Sequence, residues 1–164
     1  MTKVGLFAGS FDPVTLGHID LIQRASRLFD HLYVVIMTNS SKNYLFSFVE
    51  KENLLQQALA AVDCPNVTVL TAANQLVVTV AQKVQAQFLV RGLRGSADLD
   101  YELAMQEINH LQDRQLETVY LVARPQYAHI SSSMVKEVAH YGGQVAGLVP
   151  PVVATALAQK KAER

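Results

Sequence analysis

One cysteine, Cys64, occurs in the 164 residues, so neither an internal disulfide nor a cysteine metal cluster is open to this chain. A chain without disulfides suits a reducing compartment, and a cytoplasmic location is expected. Charge of one sign is missing too: 14 Lys and Arg balance 14 Asp and Glu. With no net field to attract nucleic acid or an anionic membrane, any phosphate must be held by a few concentrated cations. No apolar segment approaches the roughly 18 residues that a membrane span needs. The apolar run before Gly9 is too short and too soon broken for a signal peptide. Low-complexity linkers and internal repeats are absent. So are the Gly-x-Gly-x-x-Gly dinucleotide fingerprint and the Gly-Lys-Ser/Thr of a P-loop. Nor is there a nucleophile–base pair, a carboxylate dyad or a dedicated set of metal ligands.

What is there is an ordinary globular composition, 50% hydrophobic and 17% charged. At this length one domain, residues 1–164, buries about 70% of the surface its unfolded chain exposes. Short apolar runs at Lys3–Ala8, His31–Met37, Val67–Leu70, Phe88–Arg91 and Thr118–Val122 read as strands covered on both faces. Between them, Ile19–Leu28, Phe48–Val62, Gln75–Val84 and Leu99–Leu111 carry apolar residues at helical spacing. Ser47-Phe-Val-Glu50 has the spacing of a capping box and opens the second helix. Two C-terminal helices follow, one from Ser132 to His140 and one after Pro150-Pro151. Repeated strand–helix alternation predicts an α/β fold, a doubly wound sheet of about five parallel strands.

In such a sheet ligands bind beyond the carboxyl ends of the strands, and the polar chemistry of this chain lies in those loops. Gly9-Ser10-Phe11-Asp12-Pro13-Val14-Thr15-Leu16-Gly17-His18 leads from the first strand into the first helix. Helix-terminal N–H groups there face an anion, and His18 on the first turn donates a ring N–H to a phosphate oxygen. Taken alone, Gly-x-His describes any strand–helix connection. The segment resembles the signature of the nucleotidyltransferase superfamily, a Gly-x-Phe-Asp-Pro stretch followed by Thr/His-x-Gly-His. That resemblance implies a Rossmann-like fold and nucleotide transfer.

Three more segments complete the constellation. Ile130-Ser131-Ser132-Ser133 precedes a helix; its hydroxyls cap any helix equally well, but the superfamily uses such a segment for the β- and γ-phosphates of ATP. Arg91-Gly92-Leu93-Arg94 places two forked guanidinium groups at the end of the fourth strand, a clamp suited to phosphate. Lys42, after the second strand, faces the same crevice. Together with Phe29-Asp30-His31, Ser41-Lys42, Ala97-Asp98-Leu-Asp-Tyr-Glu102 and His129-Ile-Ser-Ser-Ser-Met-Val-Lys-Glu-Val138, they resemble the bacterial phosphopantetheine adenylyltransferase family over nearly the whole chain.

The resemblance implies an adenylyltransferase that joins ATP to 4′-phosphopantetheine, with magnesium carried on ATP and a homohexameric assembly. It implies that His18, Lys42 and Arg91 are catalytic, and that Ser10, Lys42, Val77 and Arg91 bind the acceptor. ATP is then expected along Ser10, Phe11, His18, Gly92, Leu93, Arg94, Glu102, Tyr127, Ala128, His129, Ile130, Ser131, Ser132 and Ser133. Departures from the family pattern are Ser10 in place of threonine, Gly95-Ser96 after the second arginine, and Tyr127-Ala128-His129 in place of a Trp-Ser-Phe-like stretch. Rival readings are an adenylyltransferase for nicotinamide or nicotinate mononucleotide, a cytidylyltransferase preferring CTP, and a nucleotide-sensing module without turnover.

Overall fold

A computed structural model describes residues 2–38 and 43–162. Five strands, β1 (Val4–Gly9), β2 (His31–Met37), β3 (Val67–Ala72), β4 (Phe88–Leu93) and β5 (Glu117–Val122), form one parallel sheet in the order β3-β2-β1-β4-β5. The helices are α1 (Leu16–Ser26), α2 (Phe48–Ala60), α3 (Val77–Lys83), α4 (Ser96–Gln112), α5 (Ser132–His140) and α6 (Pro151–Ala162). This is the expected α/β doubly wound sheet. Among the described residues no helix is long and apolar enough to cross a membrane.

Alternation along the strands builds two cores, because successive side chains point to opposite faces. Phe7, Val34, Ile36 and Val90 pack with Ile22, Leu55, Val135 and Val153 of α1, α2, α5 and α6. Leu6, Ala8, Val35, Met37 and Leu89 pack with Val78, Val80 and Ala81 of α3. Burial on both faces holds for the inner strands only. In β3 only Ala72 is buried, and no residue of β5 is. Both are edge strands, with a neighbour on one side.

Element boundaries moved where capping chemistry was decisive. Helix α1 begins at Leu16, earlier than the apolar periodicity suggests, because extended Thr15 accepts the His18 N–H at 3.3 Å and caps the helix. Ser47 and Glu50 form the predicted capping box of α2, with Glu50 accepting the Ser47 N–H at 2.7 Å. Helix α3 starts at Val77 rather than Gln75, without a side-chain cap. Helix α4 starts at Ser96 rather than Leu99, with Gly95 at its N-cap.

The sheet also makes the crevice. Strand order reverses between β1 and β4, and their pairing stops at Phe7↔Val90. On the far sides, pairing runs on to Gly9↔Ile36 and to Leu93↔Val122. The carboxyl ends of β1 and β4 therefore part, and the first loop and the Arg91–Arg94 segment face each other across the gap.

Candidate active site

The first loop leaves β1 in a tight path. Phe11 adopts a left-handed backbone (φ 45) and turns its ring into the core, only 2% exposed. A Cβ on Gly9 would come within 3.1 Å of that ring, which would have to give by a few tenths of an ångström. The Phe11 and His18 rings meet edge-on with centroids 5.0 Å apart. His18 Nδ1 accepts the backbone N–H of Thr15 at 3.0 Å, completing a capping box in which histidine takes the place of glutamate. That acceptor role puts the ring N–H on Nε2. His18 thus presents a donor on the wall of the crevice.

Helix α5 brings in the serines. Ser131 is its N-cap and accepts the Met134 N–H at 3.2 Å. Ser132 Oγ donates to the Pro13 carbonyl at 2.8 Å, tying α5 to the first loop. The helix N-terminus and the three hydroxyls border the same cavity as His18, a favourable setting for an anion.

Both arginines are held by carboxylates. Arg91 lies inside β4, since pairing with β5 continues past it. Its Nε and Nη2 donate to the two oxygens of Glu102, each at 2.7 Å, and Nη1 donates to the Ala8 carbonyl at 3.1 Å. That last bond satisfies the carbonyl where the β1–β4 ladder has stopped. Burial works against the Arg91 charge, but the Glu102 fork more than offsets it and holds the guanidinium above its ordinary range. Arg94 forks onto Asp98 at 3.0 Å through Nε and Nη2, and this bond holds the Asp98 carboxyl below its usual range.

Two cavities meet here. One of about 300 Å³ is lined by Ser10, Phe11, His18, Tyr127, Ile130 and Ser131–Ser133. A second of about 840 Å³ runs along α4 and is lined by Val77, Glu102, Met105 and Asn109. Ser10, Arg91, Gly92 and Arg94 border both. Leu93, Ala128 and His129 border neither; Leu93 instead accepts the Ala123 N–H at 2.7 Å. Lys42 lies outside the described residues. Among the described residues, no group of three or more His, Cys, Asp or Glu is placed to hold a metal ion.

Among the residues of the first cavity that escaped the sequence reading are Asp12, Tyr44 and Lys136. Asp12 is 2% exposed and accepts N–H groups of Leu45 and Phe46 and the Lys136 ammonium. Lys136 and Tyr44 line the cavity. Lys136 had a signal: it stands four residues after Ser132, on the same face of the helix. Tyr44 and the Asp12 contacts had none, because they join segments far apart in the chain.

A five-stranded 3-2-1-4-5 sheet whose switch-point crevice holds a capped histidine, a serine-bearing helix N-terminus and paired arginines defines a class. The Cytidylyltransferase-like family model matches residues 6–138, and the chain belongs to that family as an enzyme of the nucleotidyltransferase class. The nicotinic acid mononucleotide adenylyltransferase of Plasmodium falciparum, complexed with NaAD, superposes with a TM-score of 0.75 at 12% identity, covering 97% of this chain and 96% of that one. That likeness confirms the Rossmann-like fold.

Within the class the chain is a member of the phosphopantetheine adenylyltransferase family. It is 48% identical to the phosphopantetheine adenylyltransferase of Latilactobacillus sakei, covering 96% of this chain and 94% of that one. The Streptococcus gordonii enzyme of the same name is 46% identical, over 99% and 98%.

Proposed function

We propose that this chain transfers the adenylyl group of ATP to 4′-phosphopantetheine, giving dephospho-coenzyme A and pyrophosphate, the penultimate step of coenzyme A synthesis. The observation that carries the reading is the meeting of two cavities at Ser10, Arg91, Gly92 and Arg94, in a chain 48% identical to a phosphopantetheine adenylyltransferase. The smaller cavity, with its serines and histidine, suits a triphosphate. The larger, with Val77 and Met105 on its wall, suits a long flexible arm. The near-full-length identity favours this acceptor over a mononucleotide.

The acceptor supplies its own nucleophile. A phosphate monoester with a second pKa near 6 is largely dianionic at pH 7, so no protein base is required. One of its oxygens attacks the α-phosphorus in line. A new P–O bond forms as the bond to the bridging oxygen breaks, and pyrophosphate leaves with the electron pair. The protein contributes position and charge. His18 Nε2–H donates to the α-phosphate oxygen as negative charge grows there. Arg91, oriented by Glu102, holds the acceptor phosphate together with Ser10 and Lys42. Arg94 exchanges Asp98 for the triphosphate, which the Gly92 backbone and Ser131–Ser133 also hold. Phe11, Tyr127 and Ile130 lie along the rest of ATP. Magnesium arrives with ATP as part of the substrate.

Helix α4 supports the expected assembly. It buries only Glu102 and Asn109, while Leu99, Tyr101, Leu103, Met105, Ile108 and Leu111 are exposed. Apolar residues turned outward on this scale mark an interface, and we assign it to a homohexamer in the cytoplasm. Sedimentation equilibrium should return six chains of 18.0 kDa; a monomer would remove that assignment.

A coupled pyrophosphate assay with ATP and 4′-phosphopantetheine tests the reaction. Release with nicotinate mononucleotide but not phosphopantetheine, a preference for CTP, or ATP binding without turnover for every acceptor would each overturn it.

A further inference from the structure

We infer that Lys136 is a positioning residue for the transfer reaction: through the Asp12 carboxylate it locks residues 43–46 against the phosphate-binding end of α5. The inference rests on the adenylyl-transfer reading above and concerns a residue to which that reading gives no role.

Asp12 is a junction. Its Oδ1 accepts the Phe46 N–H at 2.9 Å; its Oδ2 accepts the Leu45 N–H at 2.8 Å and the Lys136 ammonium at 2.9 Å. Lys136 Nζ also reaches the Asn43 carbonyl at 3.4 Å. One turn earlier, Ser132 Oγ donates to the Pro13 carbonyl at 2.8 Å. Helix α5 therefore grips the first loop at two consecutive residues, and the first loop grips residues 45–46. Three segments that are distant in sequence are joined through one nearly inaccessible carboxylate.

The junction lies on the wall of the site. Asp12, Lys136 and Tyr44 all line the smaller cavity with His18 and Ser131–Ser133. Lys136 directs its ammonium to Asp12 and acts through it. Without that charge the carboxylate stays buried with two amides as partners, and a buried carboxylate that loses its cation must be relieved by movement or by water. Residues 43–46 and α5 would then no longer keep a common register across the crevice. In-line transfer tolerates little misplacement; a shift of about 1 Å can cost on the order of 100-fold in rate.

The test is Lys136→Met in the full chain, with Lys136→Gln as the second variant should Met impair folding. Amide exchange at Leu45 and Phe46 should quicken at least about tenfold, with exchange in β1 and β4 unchanged. Turnover should fall about tenfold or more while the dissociation constant for ATP stays within about twofold, and Lys136→Arg should recover most of the turnover. Unchanged exchange at the two amides overturns the inference whatever happens to the rate. So does unchanged turnover, or a tenfold loss of ATP affinity, which would make Lys136 a direct ATP ligand. Exchange reads the tether regardless of the acceptor, whereas pyrophosphate release by the unsubstituted chain reads the acceptor, so the two ideas fail separately.

Discussion

Arg91 and Glu102 face each other as two parallel hydrogen bonds of 2.7 Å, the guanidinium of β4 forked onto a carboxylate from the second turn of α4. The pair sits where the two cavities join, and Glu102 is the less exposed partner, at 9% of its side chain against 29% for arginine. It sets the aim of the cation that we propose receives the acceptor. Glu102 lines the larger cavity and forks onto Arg91 there.

Glu102→Gln should therefore act on the acceptor side. A glutamine offers one acceptor oxygen where the fork needs two, so Arg91 loses its orientation. We expect kcat/KM for phosphopantetheine to fall about tenfold with KM for ATP nearly unchanged, and stability to fall by about 1–3 kcal/mol. Steady-state kinetics and urea denaturation check both. A rise in the ATP KM alone would return Glu102 to the nucleotide.

His18→Ala should lower kcat by about 100- to 1,000-fold, the usual loss when one donor to a developing oxyanion is removed. Affinity for ATP should change little, because the contact strengthens only as charge accumulates. Losing the acceptor for the Thr15 N–H should also cost about 0.5–1 kcal/mol of stability. Single-turnover kinetics beside equilibrium ATP binding separates the effects; weak ATP binding with intact turnover would contradict the assigned role.

Gly92→Ala should damage the site through packing. A Cβ there collides with Leu21 Cδ1, and Leu21 is on α1, the helix that carries His18. The colliding atom is the end of a side chain that borders the smaller cavity and can shift, so the cost lies at the low end of overpacking, about 1 kcal/mol. The loss should be smaller when Gly92→Ala is made in a Leu21→Ala background, and thermal denaturation of the four chains measures that coupling. Full additivity would mean that the collision is relieved elsewhere.

The Glu50–Lys160 pair gives a pH signature remote from the site. A hydrogen bond from Lys160 at 2.7 Å, helped by the Ser47 N–H, lowers the Glu50 carboxyl to about 2 from its ordinary 4.5. A carboxyl depressed in the folded state stabilises it fully above the ordinary value, and the contribution is lost as pH falls towards 2. The pair is partly exposed and screened by solvent, so Glu50→Gln should cost under about 1 kcal/mol at pH 7. The gap between variant and parent should close from pH 4.5 down to 2, as read by denaturation midpoints. A gap that persists at pH 2 would exclude the carboxylate as its source.

Much of this protein was legible along the chain because its signals are local. The continuous apolar runs of β1 and β2, the Ser47-x-x-Glu50 box and the position of Pro151 need only neighbours to be read. The Gly9–His18 loop and the Ser131–Ser133 segment are continuous stretches, so their residue types and order were visible before any fold. Helix starts were read less well at α1 and α4. The Thr15 side-chain cap and the extended N-cap at Gly95 mark them, and apolar periodicity reports neither.

By itself, the amino-acid order determined the element types, the parallel sheet and the loops that carry polar chemistry, since each depends on residues a few positions apart. Pairing was decided only in three dimensions. Arg91 meets Glu102 because β4 and α4 fold back on each other, and Asp12 meets Lys136 across 124 residues because the order β3-β2-β1-β4-β5 brings the first loop to the start of α5. A charge along a chain has a sign and a position, but its partner is chosen by which backbones pack together.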